Sequence, residues 1–235
     1  MDVIMVPGLW LDASSWDAVI PAIEAAGHRP RPLTMPGVGA PAEESADIGI
    51  DDWVRAVVAE IDALDAPVVL IGHSGGGNVV WGAADRRRDR VARVIFLDTW
   101  PPGDGHTISE FPVVDGVIPF PGWDFFDDMD VSDLDDETRA DAATRTSSVP
   151  ARVPTDPLRL TDPQRRSVPA TMITNTVPAA EVRGIIEAAP DWAAELASIE
   201  DLEIIQIVEE DEKPGHWPQF SKPERTAEAI VAALR

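Results

Sequence analysis

Ser74 is the residue of this sequence whose surroundings are best suited to chemistry. It follows 68–71, an apolar run rich in β-branched residues, and lies in the segment 72–76, which reads Gly-His-Ser-Gly-Gly. This segment fits the pattern G-x-S-x-G, in which a strained turn between a strand and a helix exposes a serine hydroxyl. Small neighbours are needed because side chains would clash in so tight a turn. The pattern predicts a nucleophilic serine, although a plain glycine-rich turn with Ser74 as a helix N-cap would contain the same residues.

The elements that would position Ser74 alternate along the chain. Apolar runs predict six strands, over residues 3–6, 31–33, 68–71, 91–97, 171–176 and 202–208. Between them, apolar residues recur at spacings of three and four, as in 50–64 and 179–188, which predicts amphipathic helices. The first helix is expected to begin at Ser14 or Ser15 as N-cap and to end at Gly27. This alternation predicts an α/β fold with a mostly parallel sheet of about six strands and helices on both faces.

Residues 100–166 depart from that alternation. Prolines recur throughout the segment, which excludes a long continuous helix. Its centre is crowded with acidic residues interleaved with aromatic ones such as Trp123, Phe125 and Phe126. An acidic disordered loop would be expected to lack these aromatic residues. We therefore expect a single α/β domain over residues 1–235, with 100–166 as a small, partly helical cap inserted within it.

The composition narrows the classes of partner. The 235 residues include 44% hydrophobic ones, enough for one sizeable core, and the net charge of −23 disfavours nucleic acids and anionic membranes. There is no cysteine, which excludes disulfides and thiolate metal sites, and the four histidines show no ligand spacing. The apolar N-terminal run is short and lacks a basic flank, so a first strand is expected rather than a signal peptide. No apolar run approaches membrane-spanning length, and a cytoplasmic location is the default expectation.

The order of these motifs resembles that of small α/β-hydrolase-fold proteins over nearly the whole chain. Pro7-Gly8-Leu9-Trp10 falls where that family has its oxyanion loop, and residues 35–39 resemble the family's Asp-x-Pro-Gly-x-Gly turn without its acidic residue. Residues 72–76 match the nucleophile elbow, and Gly215-His216-Trp217 resembles the loop of the catalytic histidine. The nucleophile and the histidine occur in the family's order with the expected cap between them. The resemblance implies an α/β-hydrolase fold.

It also implies roles for individual residues. His216, with an ordinary pKa near ~6.5, would accept the Ser74 proton and return it to the leaving alkoxide. The backbone N–H groups of Leu9 and Gly75 would form the oxyanion hole. Pro7 replaces the family's loop histidine, which leaves the Leu9 N–H in place but can alter the path of the loop. His73, at the variable position of the elbow, is expected to be a packing residue.

The acid of a Ser-His-acid triad is the open point. A carboxylate is needed to fix the histidine tautomer and to stabilise the imidazolium. In most relatives it follows the strand that here ends at Thr176, but residues 175–178 contain no acid. Asp98, at the end of the strand after the elbow helix, is favoured because some haloalkane dehalogenases of this fold place their acid there. Asp211, Glu181 and the absence of any such carboxylate stay open.

These residues favour a serine hydrolase, without cofactor or metal, that cleaves a small, largely apolar ester, lactone or thioester. Trp10, Trp100 and Trp123 are expected to line its substrate pocket. The expected partner is a small-molecule substrate, with no nucleic acid and no membrane, and a homodimer stays open. A lyase on the same triad, like the hydroxynitrile lyases, and a ligand-binding protein without turnover are the alternatives. Haloalkane dehalogenation is disfavoured because it needs an aspartate in place of Ser74.

Overall fold

The computed structural model describes residues 1–235 and is organised around a parallel sheet of six strands. The chain has eight strands: β1 Asp2–Val6, β2 Arg29–Pro32, β3 Val68–His73, β4 Val91–Leu97, β5 Val117–Ile118, β6 Val149–Pro150, β7 Ala170–Thr174 and β8 Leu202–Gln206. The main sheet has the order β2-β1-β3-β4-β7-β8 with every neighbouring pair parallel, and β5 and β6 form a separate antiparallel pair. The predicted α/β fold with about six strands is confirmed.

Ten α-helices connect and cover these strands. They are α1 Ile20–Ala25, α2 Ala42–Ser45, α3 Ile50–Asp62, α4 Gly75–Arg86, α5 Asp128–Val131, α6 Asp136–Ala143, α7 Ala179–Ala188, α8 Ala194–Ala197, α9 Pro218–Ser221 and α10 Pro223–Ala233. Short 3₁₀ segments occur at Ala13–Trp16, Arg88–Arg90, Trp123–Phe125, Pro163–Ser167 and Asp191–Ala193. None of the helices is both long enough and apolar enough to cross a lipid bilayer.

The two faces of the sheet are buried against different helices, which explains why its central strands are apolar without interruption. Successive residues of β3 point to opposite faces: Leu70 packs in the core under α3, α4, α7 and α8, whereas Ile71 packs in the core under α1 and α10. The apolar spacing of α3 has the same origin, since Trp53, Val57 and Ile61 face the first of these cores and are fully buried.

The first helix differs from its prediction. Asp12, rather than Ser14 or Ser15, caps the 3₁₀ turn over Ala13–Trp16, with its carboxylate accepting from the Ser14 N–H at 2.8 Å. The α-helix α1 starts only at Ile20, with Pro21 in its first turn. Proline has no N–H to donate to the preceding turn, so the chain cannot continue as one helix through this point.

The register of the sheet brings the carboxyl ends of three strands to one edge. Val6 of β1 lies opposite Gly72 of β3, and His73 lies opposite Leu97 of β4. The chain runs from β1 outward to β2 in one direction and from β3 to β4 in the other, so a crevice opens between the loops that follow β1 and β3. Ser74 follows β3 at this crevice.

Residues 98–169 connect β4 to β7 and contribute only short elements, namely β5, β6, α5, α6 and the 3₁₀ segments Trp123–Phe125 and Pro163–Ser167. Their aromatic side chains pack against the loop after β1: Trp10 makes edge-to-face contacts with Phe111, Phe120 and Phe126, with ring centroids 4.8 to 5.8 Å apart. The connection therefore covers the carboxyl edge of the sheet, where Ser74 lies.

Candidate active site

The turn at Ser74 is strained, and it is so tight that two of its positions require glycine. Ser74 has φ 51° and ψ −127° and directly precedes α4. A Cβ atom on Gly72 would come within 2.5 Å of the Gly76 carbonyl oxygen, and one on Gly76 within 2.5 Å of the Val6 carbonyl oxygen. Both clashes are with backbone, which cannot move aside, so only glycine fits at these two positions. The small residues of this segment thus hold Ser74, a half-buried residue, in an unfavourable backbone conformation.

Ser74, His216 and Asp98 form a continuous hydrogen-bonded chain. The Ser74 Oγ lies 2.8 Å from Nε2 of His216, and Nδ1 of the same ring lies 2.8 Å from Oδ2 of Asp98. Because an ionised carboxylate can only accept, the ring proton belongs on Nδ1, and Nε2 is free to accept from the serine hydroxyl. This is the orientation in which the imidazole can remove the serine proton.

The Asp98 carboxylate is held by residues 175 and 176, which directly follow β7 in the segment that contains no acid of its own. Oδ1 accepts from the backbone N–H groups of Asn175 and Thr176 at 2.7 and 2.8 Å, and the Thr176 hydroxyl donates to Oδ2. Asp98 has φ 48°, a left-handed conformation that costs free energy for a residue with a Cβ atom. The three donors therefore fix a carboxylate that reaches across from the neighbouring strand.

These contacts shift the pKa values of the pair in opposite directions. Burial, the largest single effect on Asp98, raises its pKa, but the hydrogen bond and charge of His216 and the donors of Thr176 and Asn175 outweigh burial and the pKa is lowered. Burial alone would lower the pKa of His216, yet its hydrogen bond with Asp98 and the charges of Asp98 and Asp130 raise it above the ordinary 6.5. Asp98 is therefore an anion that stabilises the protonated form of His216.

His73 is buried as expected, but it also holds the backbone of the histidine loop. Its Nε2 donates to the carbonyl oxygen of His216 at 2.8 Å, and its Nδ1 accepts from the Gln219 side-chain amide at 3.2 Å. Burial and the nearby His216 lower the pKa of His73 to about 3, so the ring is neutral at every working pH. A sequence motif could not show this contact, because His73 and His216 are 143 positions apart.

Two backbone N–H groups are available beside Ser74. Gly75 is the first residue of α4, where N–H groups have no partner within the helix, and the Leu9 N–H makes no hydrogen bond with the protein. A Cβ atom on Gly75 would lie 3.2 Å from Cγ of Leu9, so the loop after β1 and the start of α4 are in contact. Pro7 leaves this arrangement intact, with Leu9 next to the elbow.

A cavity of about 500 Å³ opens beside Ser74 and His216. Its lining includes seven aromatic side chains: Trp10, Trp100, Phe111, Phe125, Phe126, Trp192 and Trp217. Trp123, which the sequence also placed in the pocket, does not line this cavity. It packs edge-to-face behind Trp217, with centroids 5.1 Å apart, and its indole N–H donates to the Arg139 carbonyl at 3.0 Å. This hydrogen bond satisfies the partly buried N–H on the side of Trp123 that faces away from the cavity.

A carboxylate that the sequence did not single out also lines this cavity. Asp130, in α5, borders both the main cavity and a smaller one of about 220 Å³, and His216 also lines both. Its backbone carbonyl accepts from the His216 N–H at 2.7 Å. Burial, and to a lesser degree the charges of Asp127 and Asp98, raise the pKa of Asp130, while the charge of His216 opposes this shift.

A cluster of four polar residues also anchors the histidine loop. We call it the Asp133 cluster: Asp133, Asn175, Ser221 and Lys222. Oδ2 of Asp133 accepts from Ser221, Asn175 and Lys222 at 2.6, 3.0 and 3.1 Å, and Asn175 also donates to the Gly215 carbonyl at 2.6 Å. The Asp133 side chain is only 4% exposed. This cluster ties the connection 98–169 to the loop that carries the histidine.

The other carboxylates considered for the triad lie elsewhere. Asp211 is exposed in the loop before His216, and Glu181 is exposed in the first turn of α7. Neither makes a hydrogen bond with the His216 ring, whose partners are Ser74 and Asp98. Histidine, aspartate and glutamate side chains do not gather in any group of three or more that could hold a metal ion.

Comparison with known proteins places these features in a family. A sequence model described as "Alpha/beta hydrolase family" matches residues 3–229. The carbendazim hydrolyzing esterase of Nocardioides sp. (strain SG-4G) is 32% identical over 107 residues, 45% of this chain and 44% of that protein. Esterase PIR7B of Oryza sativa subsp. japonica is 37% identical over 98 residues, 40% of this chain and 37% of that protein. In both cases the match spans less than half the length of the relative.

Solved structures show a likeness over the whole chain. An extracellular alpha/beta-hydrolase from a Paenibacillus species, described as sharing structural and functional homology with tobacco salicylic acid binding protein 2, superimposes with a TM-score of 0.75. The superposition covers 99% of this chain and 98% of that one at 19% sequence identity. At this identity the likeness concerns the fold alone.

Proposed function

Because the chain belongs to the alpha/beta hydrolase family, we propose that it is a serine hydrolase of small carboxylic esters, with Ser74 as nucleophile, His216 as base and Asp98 as triad acid. The observation that carries this proposal is the unbroken chain of hydrogen bonds from Ser74 Oγ through the His216 ring to the buried Asp98. The esterase names of the partly matching relatives support the same reaction class.

In the acylation step, Ser74 Oγ adds to the carbonyl carbon of the ester while its proton passes to Nε2 of His216. Negative charge develops on the carbonyl oxygen, and the N–H groups of Leu9 and Gly75 would donate to it. Loss of one such donor costs about 2.7–4 kcal/mol of transition-state stabilisation in enzymes of this kind. The tetrahedral intermediate then collapses, the bond to the alcohol oxygen breaks, and His216 gives its proton to the leaving alkoxide.

In the deacylation step, water replaces the alcohol. His216 takes one proton from the water as its oxygen attacks the acyl carbon, and the same proton then returns to Ser74 Oγ as the acid leaves. Asp98 stays ionised throughout and stabilises the imidazolium that forms twice in the cycle. No other reactant is needed for the balance: one ester and one water yield one acid and one alcohol.

The cavity supports a small and largely apolar substrate. Its volume of about 500 Å³ lies within the range of roughly 300–1,000 Å³ usual for small-molecule sites, and seven aromatic side chains line it. We propose that residues 100–166 act as the cap of this site, because their aromatic residues and Asp130 form much of its wall. Trp10 and Trp100 would contact the substrate, whereas Trp123 would only support Trp217.

The proposal is tested by covalent labelling and turnover in parallel. We expect an alkyl fluorophosphonate to modify Ser74, located by peptide mass spectrometry, and p-nitrophenyl butyrate to be hydrolysed with a burst of p-nitrophenol. Ser74→Ala should remove the label and lower kcat by about 10⁶-fold. The control is Ser14→Ala, which alters a serine outside the cavity and should retain both. An unlabelled Ser74 at high probe concentration, together with no ester turnover, would overturn the proposal.

The alternatives raised by the sequence predict other outcomes. A ligand-binding protein would bind small apolar molecules without labelling or turnover. A lyase on the same residues would be labelled but would accumulate no acyl-enzyme with p-nitrophenyl esters. The burst and its acylated Ser74 peptide therefore separate the hydrolase from both.

A further inference from the structure

The cavity beside Ser74 has a charge pattern that ester hydrolysis does not require. Asp130 is the one carboxylate in its lining, and no lysine or arginine lines it. Two basic side chains on neighbouring segments bind other groups. Arg139 donates to the carbonyls of Leu134 and Val131, and Lys222 pairs with Asp133. Asp130 forms no salt bridge with a lysine or an arginine, and the cationic group that acts on it within the protein is His216 when that ring is protonated.

The remaining walls of the cavity are also suited to a positively charged ligand. Seven of its lining side chains are aromatic, and the faces of aromatic rings attract ammonium groups. Trp100 and Trp192 stand edge-to-face with centroids 5.2 Å apart, and Trp100 borders both the main cavity and the smaller one that Asp130 shares. A carboxylate together with several aromatic rings is the combination that recognises quaternary and protonated amines.

The position of Asp130 indicates which part of an ester it would meet. His216 must protonate the leaving alkoxide, so the alcohol portion of the ester lies on the His216 side of Ser74. Asp130 is directly beside His216, because its backbone carbonyl accepts from the His216 N–H at 2.7 Å. The carbonyl oxygen of the ester would instead point toward Leu9 and Gly75.

We propose that this site prefers esters whose alcohol portion carries a quaternary or protonated ammonium group, held between the Asp130 carboxylate and the aromatic lining near Trp100. The proposal rests on the hydrolase function proposed above and narrows its substrate class. Exposed carboxylates at Asp124, Asp127 and Asp128 flank the same segment, and the net charge of −23 would draw cations toward it at low salt. The specific contact is that of Asp130.

Two esters of the same shape test this proposal. Butyrylcholine and 3,3-dimethylbutyl butyrate differ only in a quaternary nitrogen against a quaternary carbon, so they separate charge from size. At 0.3 M NaCl, where long-range attraction is screened, we expect the wild-type kcat/KM to be at least about tenfold higher for butyrylcholine. Asp130→Asn should lower this ratio by about tenfold, and the matched control Asp136→Asn, an exposed carboxylate outside the cavity, should keep it.

The ratio of the two substrates is the measured quantity because it cancels any general loss of activity in a variant. Equal kcat/KM values for the two esters in the wild type, or an unchanged ratio in Asp130→Asn, would overturn the ammonium proposal while the hydrolase function stands. If neither ester is hydrolysed and Ser74 resists labelling, the hydrolase function fails instead. Binding to Ser74→Ala, followed by the fluorescence of the cavity tryptophans, still tests charge preference: a Kd about tenfold lower for butyrylcholine supports it, and equal values overturn it.

Discussion

At the scale of single residues, backbone strain at the site is offset by hydrogen bonds. Trp10, Ser74 and Asp98 are three of the five non-glycine residues with positive φ. Trp10 and Ser74 line the main cavity, and Asp98 lines the smaller one beside it. Such conformations cost roughly 1–3 kcal/mol each and persist where surrounding contacts over-determine them. For Asp98 those contacts are two backbone N–H groups, the Thr176 hydroxyl and the His216 ring.

The pH dependence of turnover follows from the raised pKa of His216. Only the neutral ring can accept the Ser74 proton, so kcat/KM should rise with pH through a midpoint above 6.5. Asp98→Asn removes the hydrogen bond and charge that raise this pKa and leaves the burial that lowers it. We expect the midpoint to fall below that of the wild type and kcat to drop by about 10⁴-fold. The measurement is p-nitrophenyl butyrate hydrolysis between pH 5 and 9.

Asp211→Asn is the matched control for this experiment, because Asp211 lies exposed in the histidine's own loop. It should leave the rate and the midpoint of the profile unchanged. A wild-type rate in Asp98→Asn, or a large loss in Asp211→Asn, would show that another carboxylate serves His216.

The buried His73 leads to a prediction about the stability of the fold rather than the rate of turnover. Its folded-state pKa of about 3 lies below the ordinary 6.5, so its neutral form favours the folded state above pH 6.5 and this contribution is lost as pH falls. His73→Gln keeps a donor for the His216 carbonyl without the titration. The difference in unfolding free energy between wild type and variant should therefore shrink by about 2 kcal/mol from pH 7 to pH 5. Urea unfolding at both pH values measures this, and a constant difference would contradict it.

At the scale of elements, the histidine loop is held from two sides. The end of β3 contributes the His73 contact, and the segment around α5 contributes the Asp130 carbonyl and the Asp133 cluster. The loop therefore depends on the connection 98–169 for its position. A Cβ atom on Gly215 would clash with the Asp133 carboxylate at 1.7 Å, so the two segments are in direct contact.

Removing the charge of Asp133 tests this dependence. Asp133→Asn leaves Lys222 without its acidic partner in a site where both side chains are largely buried, and we expect the unfolding free energy to fall by about 3–5 kcal/mol. Because His216 loses support, kcat should also fall by about 10- to 100-fold, with a smaller change in KM. Unfolding followed by circular dichroism measures the free energy of unfolding. Steady-state kinetics well below the unfolding temperature measure kcat and KM.

Asp128→Asn supplies the comparison, since Asp128 is exposed on the neighbouring α5. A purely structural role for Asp133 would lower stability but leave kcat and the rate of fluorophosphonate labelling of the folded variant intact. That result would remove Asp133 from the positioning of His216.

At the scale of the whole molecule, charge is the dominant feature. The chain has 42 acidic and 19 basic residues, so most of its carboxylates lack a cationic partner. Self-repulsion destabilises a compact state of such net charge, and salt screens it as the Debye length falls from about 30 Å at 0.01 M to about 8 Å at 0.15 M. Exposed ion pairs are weakened by the same salt, but they contribute only about 0–1 kcal/mol each.

We therefore expect the unfolding temperature at pH 8 to rise when NaCl is increased from 0.01 to 0.3 M. Differential scanning calorimetry measures the change, and sucrose at equal osmolality controls for general solute effects. An unfolding temperature that stays level or falls with NaCl would mean that ion pairs outweigh the net charge.

Much of the fold was predictable from the sequence because its determinants are local. Apolar runs of strand length alternate with helical spacing, and this pattern predicted the six strands, while the order of the motifs carried the resemblance to the family. The prediction for the first helix was wrong because Asp12 caps a separate 3₁₀ turn and Pro21 lies in the first turn of α1, so the apolar spacing spans two elements. The elbow was predictable because Gly72 and Gly76 belong to a five-residue motif around Ser74, although the clash that requires glycine at position 76 is with the distant Val6 carbonyl oxygen.

By itself, then, the sequence determined the alternation of elements, which depends on neighbours along the chain. Short motifs and their order also indicated the α/β-hydrolase family and the turn at Ser74. It ranked Asp98 above Asp211 and Glu181 without deciding among them. Only the tertiary structure brings Asp98 to His216, because the pair of strands β4 and β7 places donors from residues 175–176 around a carboxylate 77 positions earlier. Tertiary contacts also turn Trp123 away from the cavity and place Asp130 in its lining. Each depends on contacts between residues distant in sequence, which no local pattern encodes.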